Sequence, residues 1–181
     1  MGFSKLIMKM CGWKVSKAIE IPDKCVIVIA PHTSFMDFIW GKLALVALGQ
    51  ETKFIIKKEF FFFPLGPVIK ALGATPVERG KYKSDMVERM CENFKKERIF
   101  KLVITVEGTR KRTRHWKKGF WVIAREANIP VVYGIADYGK KEMKLAGFLE
   151  ITDNWEKDIA VLKSKYDGVV ARFPECFTNE I

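Results

Sequence analysis

The residues able to do chemistry gather in turns that follow apolar runs. The first group is Pro31-His32-Thr33-Ser34-Phe35-Met36-Asp37, directly after the apolar stretch 25–30. A carboxylate beside a histidine fixes the tautomer, orients the ring and stabilises the imidazolium formed when the other nitrogen takes a proton. On a regular helix, residues five apart diverge by about 140°, which would keep His32 and Asp37 from meeting. A strand-to-helix turn changes that geometry. With His32 in the turn and Ser34 as the N-cap, Asp37 is the third helical residue, and its carboxylate folds back toward the helix start. His32 and Asp37 are therefore the candidate catalytic pair, with Ser34 in support. Taken alone, the same residues fit a loop histidine and a capping carboxylate equally well.

A second constellation, Glu107-Gly108-Thr109-Arg110, also follows an apolar run, 102–106. Ligands of open α/β sheets bind outside the carboxyl ends of strands, so this turn can share a crevice with His32. Arg110 offers a planar, permanently charged fork suited to phosphate oxygens, and Gly108 permits a tight turn. The competing reading is an ordinary strand-end turn followed by a solvated basic run, Lys111, Arg112, Arg114, Lys117 and Lys118. A third segment runs from Lys58-Glu59 through four consecutive phenylalanines, Pro64, Gly66 and Gly73 to Arg79. Four adjacent phenylalanines cannot all face inward on one strand or helix, so some must line a groove or meet lipid.

These turns need a scaffold. The hydrophobic pattern predicts strands at 25–30, 53–56, 75–77, 102–106, 130–136 and 145–151. Helices are expected at 35–48, 84–98 and 118–127, with a last one around Trp155, Ile159 and Leu162 capped by Asp153 or Asn154. Strands alternating with helices point to a single α/β layered domain with a largely parallel central sheet flanked by helices. Residues 1–15 place Phe3, Leu6, Ile7 and Met10 on one face among lysines, a basic amphipathic helix. It reads either as a terminal helix packed on the core or as a membrane-surface anchor, with residues 16–181 as the domain proper.

The 181 residues carry a net charge of +11, which favours an anionic partner: phospholipid headgroups, nucleic acid or a phosphorylated substrate. Four scattered cysteines and two histidines offer no clustered zinc ligands, so no metal is expected. Reduced thiols, no apparent signal peptide and no apolar run long enough to span a bilayer lead to a cytoplasmic protein lying on the membrane surface.

In this order, the segments resemble the glycerolipid acyltransferase family, of the 1-acylglycerol-3-phosphate acyltransferase type. The family's His-x4-Asp block appears as His32 and Asp37. The block ending in arginine appears as Lys58-Glu59, Pro64, Gly66, Gly73 and Arg79, with Lys58 and Gly66 as possible support. Glu107-Gly108-Thr109-Arg110 and Ile129-Pro130-Val131-Val132 follow. The resemblance implies a glycerol-3-phosphate acyltransferase-like fold, with His32 as general base and Asp37 supporting it. Arg79, Glu107, Gly108, Thr109 and Arg110 would bind the acceptor headgroup. It implies no cofactor: the acyl donor, acyl-CoA or acyl carrier protein, is a substrate, and the acceptor is a lysolipid. The expected setting is the cytoplasmic face of an anionic membrane.

Pro31, Val106 and Tyr133 depart from residues frequent in the family, which leaves an amino-acid lysolipid open as the acceptor. No Gly-x-Ser-x-Gly nucleophile motif is present, so no acyl-enzyme is implied. The rival from the charge is a nucleic-acid-binding module. Against it, the aromatic residues cluster with Pro and Gly at 60–67 rather than interleaving with lysines, and no nucleic acid is expected as partner. His115, within a basic run, has no expected role.

Overall fold

The run 25–30 lies at the centre of the sheet because both of its faces are covered. In the computed structural model it is β2 (Lys24–Ala30), with Val26, Val28 and Ala30 facing one layer and Cys25 and Ile27 the other. That alternation is the period-two geometry of a strand, and the unbroken apolar run that follows Lys24 is what burial on both faces requires. The structure describes residues 2–57, 62–63, 66–67, 73–77 and 83–180. Lys58 and Arg79, named above as candidate residues, lie outside them.

Helix α1 (Gly2–Met10) leads into β1 (Lys14–Lys17), and β2 is followed by α2 (Phe35–Ala47) and β3 (Lys53–Lys57). Strand β4 (Ala74–Val77), α3 (Lys83–Lys96), β5 (Phe100–Thr105) and α4 (Gly119–Ala127) come next. The chain continues through β6 (Val131–Asp137), β7 (Glu142–Leu149) and α5 (Trp155–Ser164). Among the described residues seven strands form one sheet, in the order β1-β7-β6-β2-β5-β3-β4. Strands β6, β2, β5, β3 and β4 are mutually parallel, while β7 pairs antiparallel with β6 and β1 runs parallel to β7. The domain is thus α/β with a mostly parallel sheet.

Two cores fill the two sides. Met90, Phe94, Phe120, Ile123 and Leu162 bring α3, α4 and α5 against one face of β2 and β5. Leu45 brings α2 against Ile27, Val103, Val132 and Leu145 on the other. Each fully buried aliphatic side chain here contributes about 1.5–3 kcal/mol relative to exposure. A third cluster, with Met8, Trp13, Ala44 and Met143, fastens α1 to α2 and the sheet edge.

The amino-terminal expectation needs correction. The helix stops at Met10 rather than reaching Val15, because Gly12 turns the chain with φ +76° and Trp13 swings into the core. Residues 14–17 then form β1 on β7, so the boundary at residue 15 falls inside a strand of the main sheet. The last strand also begins earlier than the apolar pattern indicated, at Glu142, because a tight turn after β6 returns the chain antiparallel. Asn154 caps α5, its side chain accepting from the Lys157 N–H at 3.0 Å.

Candidate active site

Strands β2 and β5 are parallel neighbours, with Ile29 opposite Thr105 near their carboxyl ends. From β2 the chain enters α2 on one side of the sheet; from β5 it leads to α4 on the other. Adjacent strands whose connections depart to opposite faces leave a crevice between their ends, the usual ligand site of such sheets. His32 and Glu107 are the residues that leave β2 and β5 there.

The peptide bond between Ala30 and Pro31 is cis. Ser34 then caps α2 in extended conformation, and its Oγ accepts from the Met36 N–H at 3.1 Å. Asp37 returns toward the helix start: its Oδ2 accepts from Ser34 N–H at 2.7 Å and from Thr33 N–H at 2.6 Å. That fold-back puts Oδ2 3.5 Å from Nδ1 of His32. The capping box therefore solves the spacing problem of residues five apart, and one carboxylate oxygen serves both the helix and the imidazole. Nε2 of His32 has no hydrogen-bond partner among the described residues, and the ring is partly exposed toward solvent.

The other oxygen of Asp37 is also held. Tyr138, just after β6, donates its hydroxyl to Oδ1 at 2.5 Å. Burial alone would push the Asp37 carboxyl up, but the bonds from His32, Tyr138 and Ser34 outweigh it and hold the group below the ordinary range. Asp37 is thus an ionised, oriented carboxylate at neutral pH, the state needed to support an imidazolium.

Glu107 is turned inward. It is 4% exposed, and its Oε1 accepts the backbone N–H of His32 at 2.9 Å. Burial raises its carboxyl to about 8, against the lowering effect of the amide bonds and with added repulsion from Asp37. Its Oε2 is buried with no hydrogen-bond partner among the described residues. One oxygen of Glu107, the residue expected on an acceptor headgroup, thus serves the backbone of the histidine loop.

Gly108 has φ +65°, and a Cβ there would lie 2.8 Å from Cγ of Lys117. Thr109 is half-buried, its Oγ1 accepting from Lys111 N–H at 3.2 Å. Arg110 is exposed and has no ion pair among the described residues. By contrast, Arg112 and Arg114 engage Glu180 at 3.9 and 2.9 Å. Gly66 is buried and donates its N–H to the Phe62 carbonyl at 2.6 Å, while Phe62 and Phe63 are exposed. His115 is exposed on the basic face, bonded to Thr113.

Tyr138 and the segment around Arg172 were not singled out from the sequence. Phe173 N–H donates to Thr33 Oγ1 at 3.2 Å, and Tyr138 N–H to the Val170 carbonyl at 2.8 Å, which closes a third wall on the His32 turn. A usable signal existed: Tyr138 follows a parallel strand beside β2, so the rule that drew attention to residues 32 and 107 applies to it equally.

Among the described residues, no group of three or more His, Cys, Asp or Glu side chains could hold a metal ion, and no helix is long and apolar enough to cross a membrane. A family model described as Acyltransferase matches residues 13–133, from the turn before β1 into β6. No curated protein and no solved structure gives a significant match to the chain.

Proposed function

The chain belongs to the acyltransferase family, and on that premise we propose that it moves a fatty acyl group from a thioester donor to the hydroxyl of a lysophospholipid, with His32 as general base. The observation that carries the reading is the Nδ1 of His32 set 3.5 Å from an ionised Asp37 at the mouth of the β2–β5 crevice. Nε2 takes the proton of the acceptor hydroxyl as its oxygen attacks the thioester carbonyl. A carbon–oxygen bond forms, the carbon–sulfur bond breaks, and the departing thiolate takes the proton back from the imidazolium. Asp37 holds the ring and offsets its transient charge.

The donor in this reading is acyl-CoA or acyl carrier protein, and the acceptor a lysolipid such as 1-acylglycerol-3-phosphate. Arg110 suits a phosphate headgroup because it is exposed, planar in its charge and free of an ion pair among the described residues. An amino-acid lysolipid remains the second acceptor, favoured by the departures at Pro31, Val106 and Tyr133. The proposed setting is an anionic membrane surface. Phe3, Leu6 and Met10 are 75%, 54% and 78% exposed, while Ser4 and Met8 carry the buried side of α1. The apolar face of α1 is therefore turned outward with Lys5 and Lys9 beside it, as an interfacial helix requires.

The test is acyl transfer by purified protein from acyl-CoA or acyl carrier protein to a panel of lysolipids, beside His32→Ala. The expected result is ester formation with at least one donor and acceptor, reduced by roughly a hundredfold or more in the variant. Unchanged transfer by His32→Ala would remove the histidine from the mechanism. Salt-sensitive binding of oligonucleotides without binding to anionic vesicles would favour a nucleic-acid module instead.

A further inference from the structure

We propose that Tyr138 is a positioning residue for the acyl-transfer step, one that fixes the rotation of the Asp37 carboxylate and sets how strongly that carboxylate supports His32. This rests on the reading of His32 as general base. Tyr138 lies beyond the residues that the family model matches.

The two oxygens of Asp37 are divided between tasks. Oδ2 takes the amides of Thr33 and Ser34 and faces Nδ1 of His32. Oδ1 receives the Tyr138 hydroxyl, a short bond of 2.5 Å between groups 101 positions apart in sequence. A hydrogen bond to a carboxylate is charge-assisted and strongly directional. With both oxygens held, the carboxyl plane cannot turn Oδ2 away from the imidazole.

Tyr138 is itself built in. Its ring meets Trp13 edge to face, with centroids 4.9 Å apart, and Trp13 stacks on Trp40 of α2. Its backbone N–H is tied to Val170, and the Arg172 guanidinium stands beside its hydroxyl. The hydroxyl is pushed well above the usual phenol range by burial, then by its bond to Asp37 and the charge there, so it remains a donor. The charged and titratable groups facing this cluster are Asp37 on α2, Glu107 after β5 and Arg172 in the carboxy-terminal segment.

The donated bond also draws charge away from Asp37. Its loss leaves a stronger anion beside His32, and an imidazole beside a stronger anion holds its proton to higher pH. A merely structural tyrosine would not produce that effect. The chain has two histidines, so isotope-labelled imidazoles give two NMR titrations, with His115 as the internal reference.

In Tyr138→Phe, which keeps the ring against Trp13, the His32 titration is expected to move up while His115 stays put. In the acyl-transfer assay kcat falls by about tenfold with little change in KM, because alignment rather than binding is lost. Site-specific 3-fluorotyrosine at position 138 is a more acidic donor that preserves every contact, and it should move the His32 titration down. Titrations unmoved in both proteins, or moved in the same direction, would overturn the proposal. His32→Ala assayed alongside separates the two ideas. Full activity there removes the general base and this proposal with it, whereas an inactive His32→Ala with unmoved titrations overturns only the role of Tyr138.

Discussion

Oε1 of Glu107 accepts the backbone N–H of His32 at 2.9 Å, so the turn after β5 holds the turn after β2. Two neighbouring strands thereby lock the loop that carries the candidate base. The acid that does this is buried and has its carboxyl raised to about 8, and its proton has consequences for stability.

Above the ordinary value of 4.5 an unfolded chain ionises Glu107, whereas the folded chain keeps the proton until about 8. The folded state then binds more protons across that window, so stability falls as pH rises through it. The contribution is fully present below 4.5 and lost once pH passes about 8. Glu107→Gln retains an acceptor oxygen for His32 and removes the titration. Its melting temperature should be flatter than wild type across that window, as differential scanning calorimetry can measure. Glu107→Leu should lose activity, because the His32 amide is left buried without its acceptor, at a cost of about 1–3 kcal/mol.

Asp37 carries two duties that substitution cannot separate cleanly. Asp37→Asn should lower transfer by roughly a hundredfold or more. It should also cost about 1–3 kcal/mol in urea denaturation, since an amide cannot serve the loop N–H donors and the Tyr138 hydroxyl as a carboxylate does. His32→Gln touches only the first duty. It should lose activity comparably while shifting stability by about 0.5 kcal/mol or less.

Gly108→Ala places a side chain at φ +65°, where an L-residue pays about 1–2 kcal/mol. The close atom is Lys117 Cγ, near the root of that side chain, so a steric cost should add to the backbone term. Urea midpoints of Gly108→Ala in wild-type and Lys117→Ala backgrounds check this. Partial rescue by Lys117→Ala is expected, with the backbone cost remaining, and an equal loss in both backgrounds would remove the steric part.

Replacing Phe3, Leu6 and Met10 together by serine should leave thermal stability nearly unchanged, because all three are exposed. Co-sedimentation with anionic vesicles should fall by roughly tenfold or more, since both apolar area and interfacial depth are lost. Unchanged sedimentation would remove α1 from the membrane contact.

The parts of this fold legible in the sequence are those governed by nearby residues. β2 is legible because CVIVIA has no polar interruption, and the cap of α2 because Ser34 and Asp37 stand at the required interval. The crevice between the turns at 32 and 107 follows from a rule about strand ends. What remained hidden depends on distant partners. β1 is four residues, KVSK, whose strand state comes from pairing with β7 rather than from its own pattern. Glu107 in a sequence looks like any strand-end acid, and only the placement of β5 beside β2 turns it onto the His32 amide. Tyr138 meets Asp37 because β6 occupies the other side of β2, a choice of strand order that no local pattern encodes.

Helix α2 begins with the first-turn carboxylate Asp37 and carries α1 farther along, through Met8, Trp40, Leu43 and Ala44. Thirteen helical residues make a rod about 20 Å long, too stiff to bend between the two. A protein seated on lipid through α1 would therefore have the tilt of its crevice set by that rod. The anchor would act as a compass as well as a tether: besides raising the local supply of lipid, it would choose the angle from which a headgroup approaches His32.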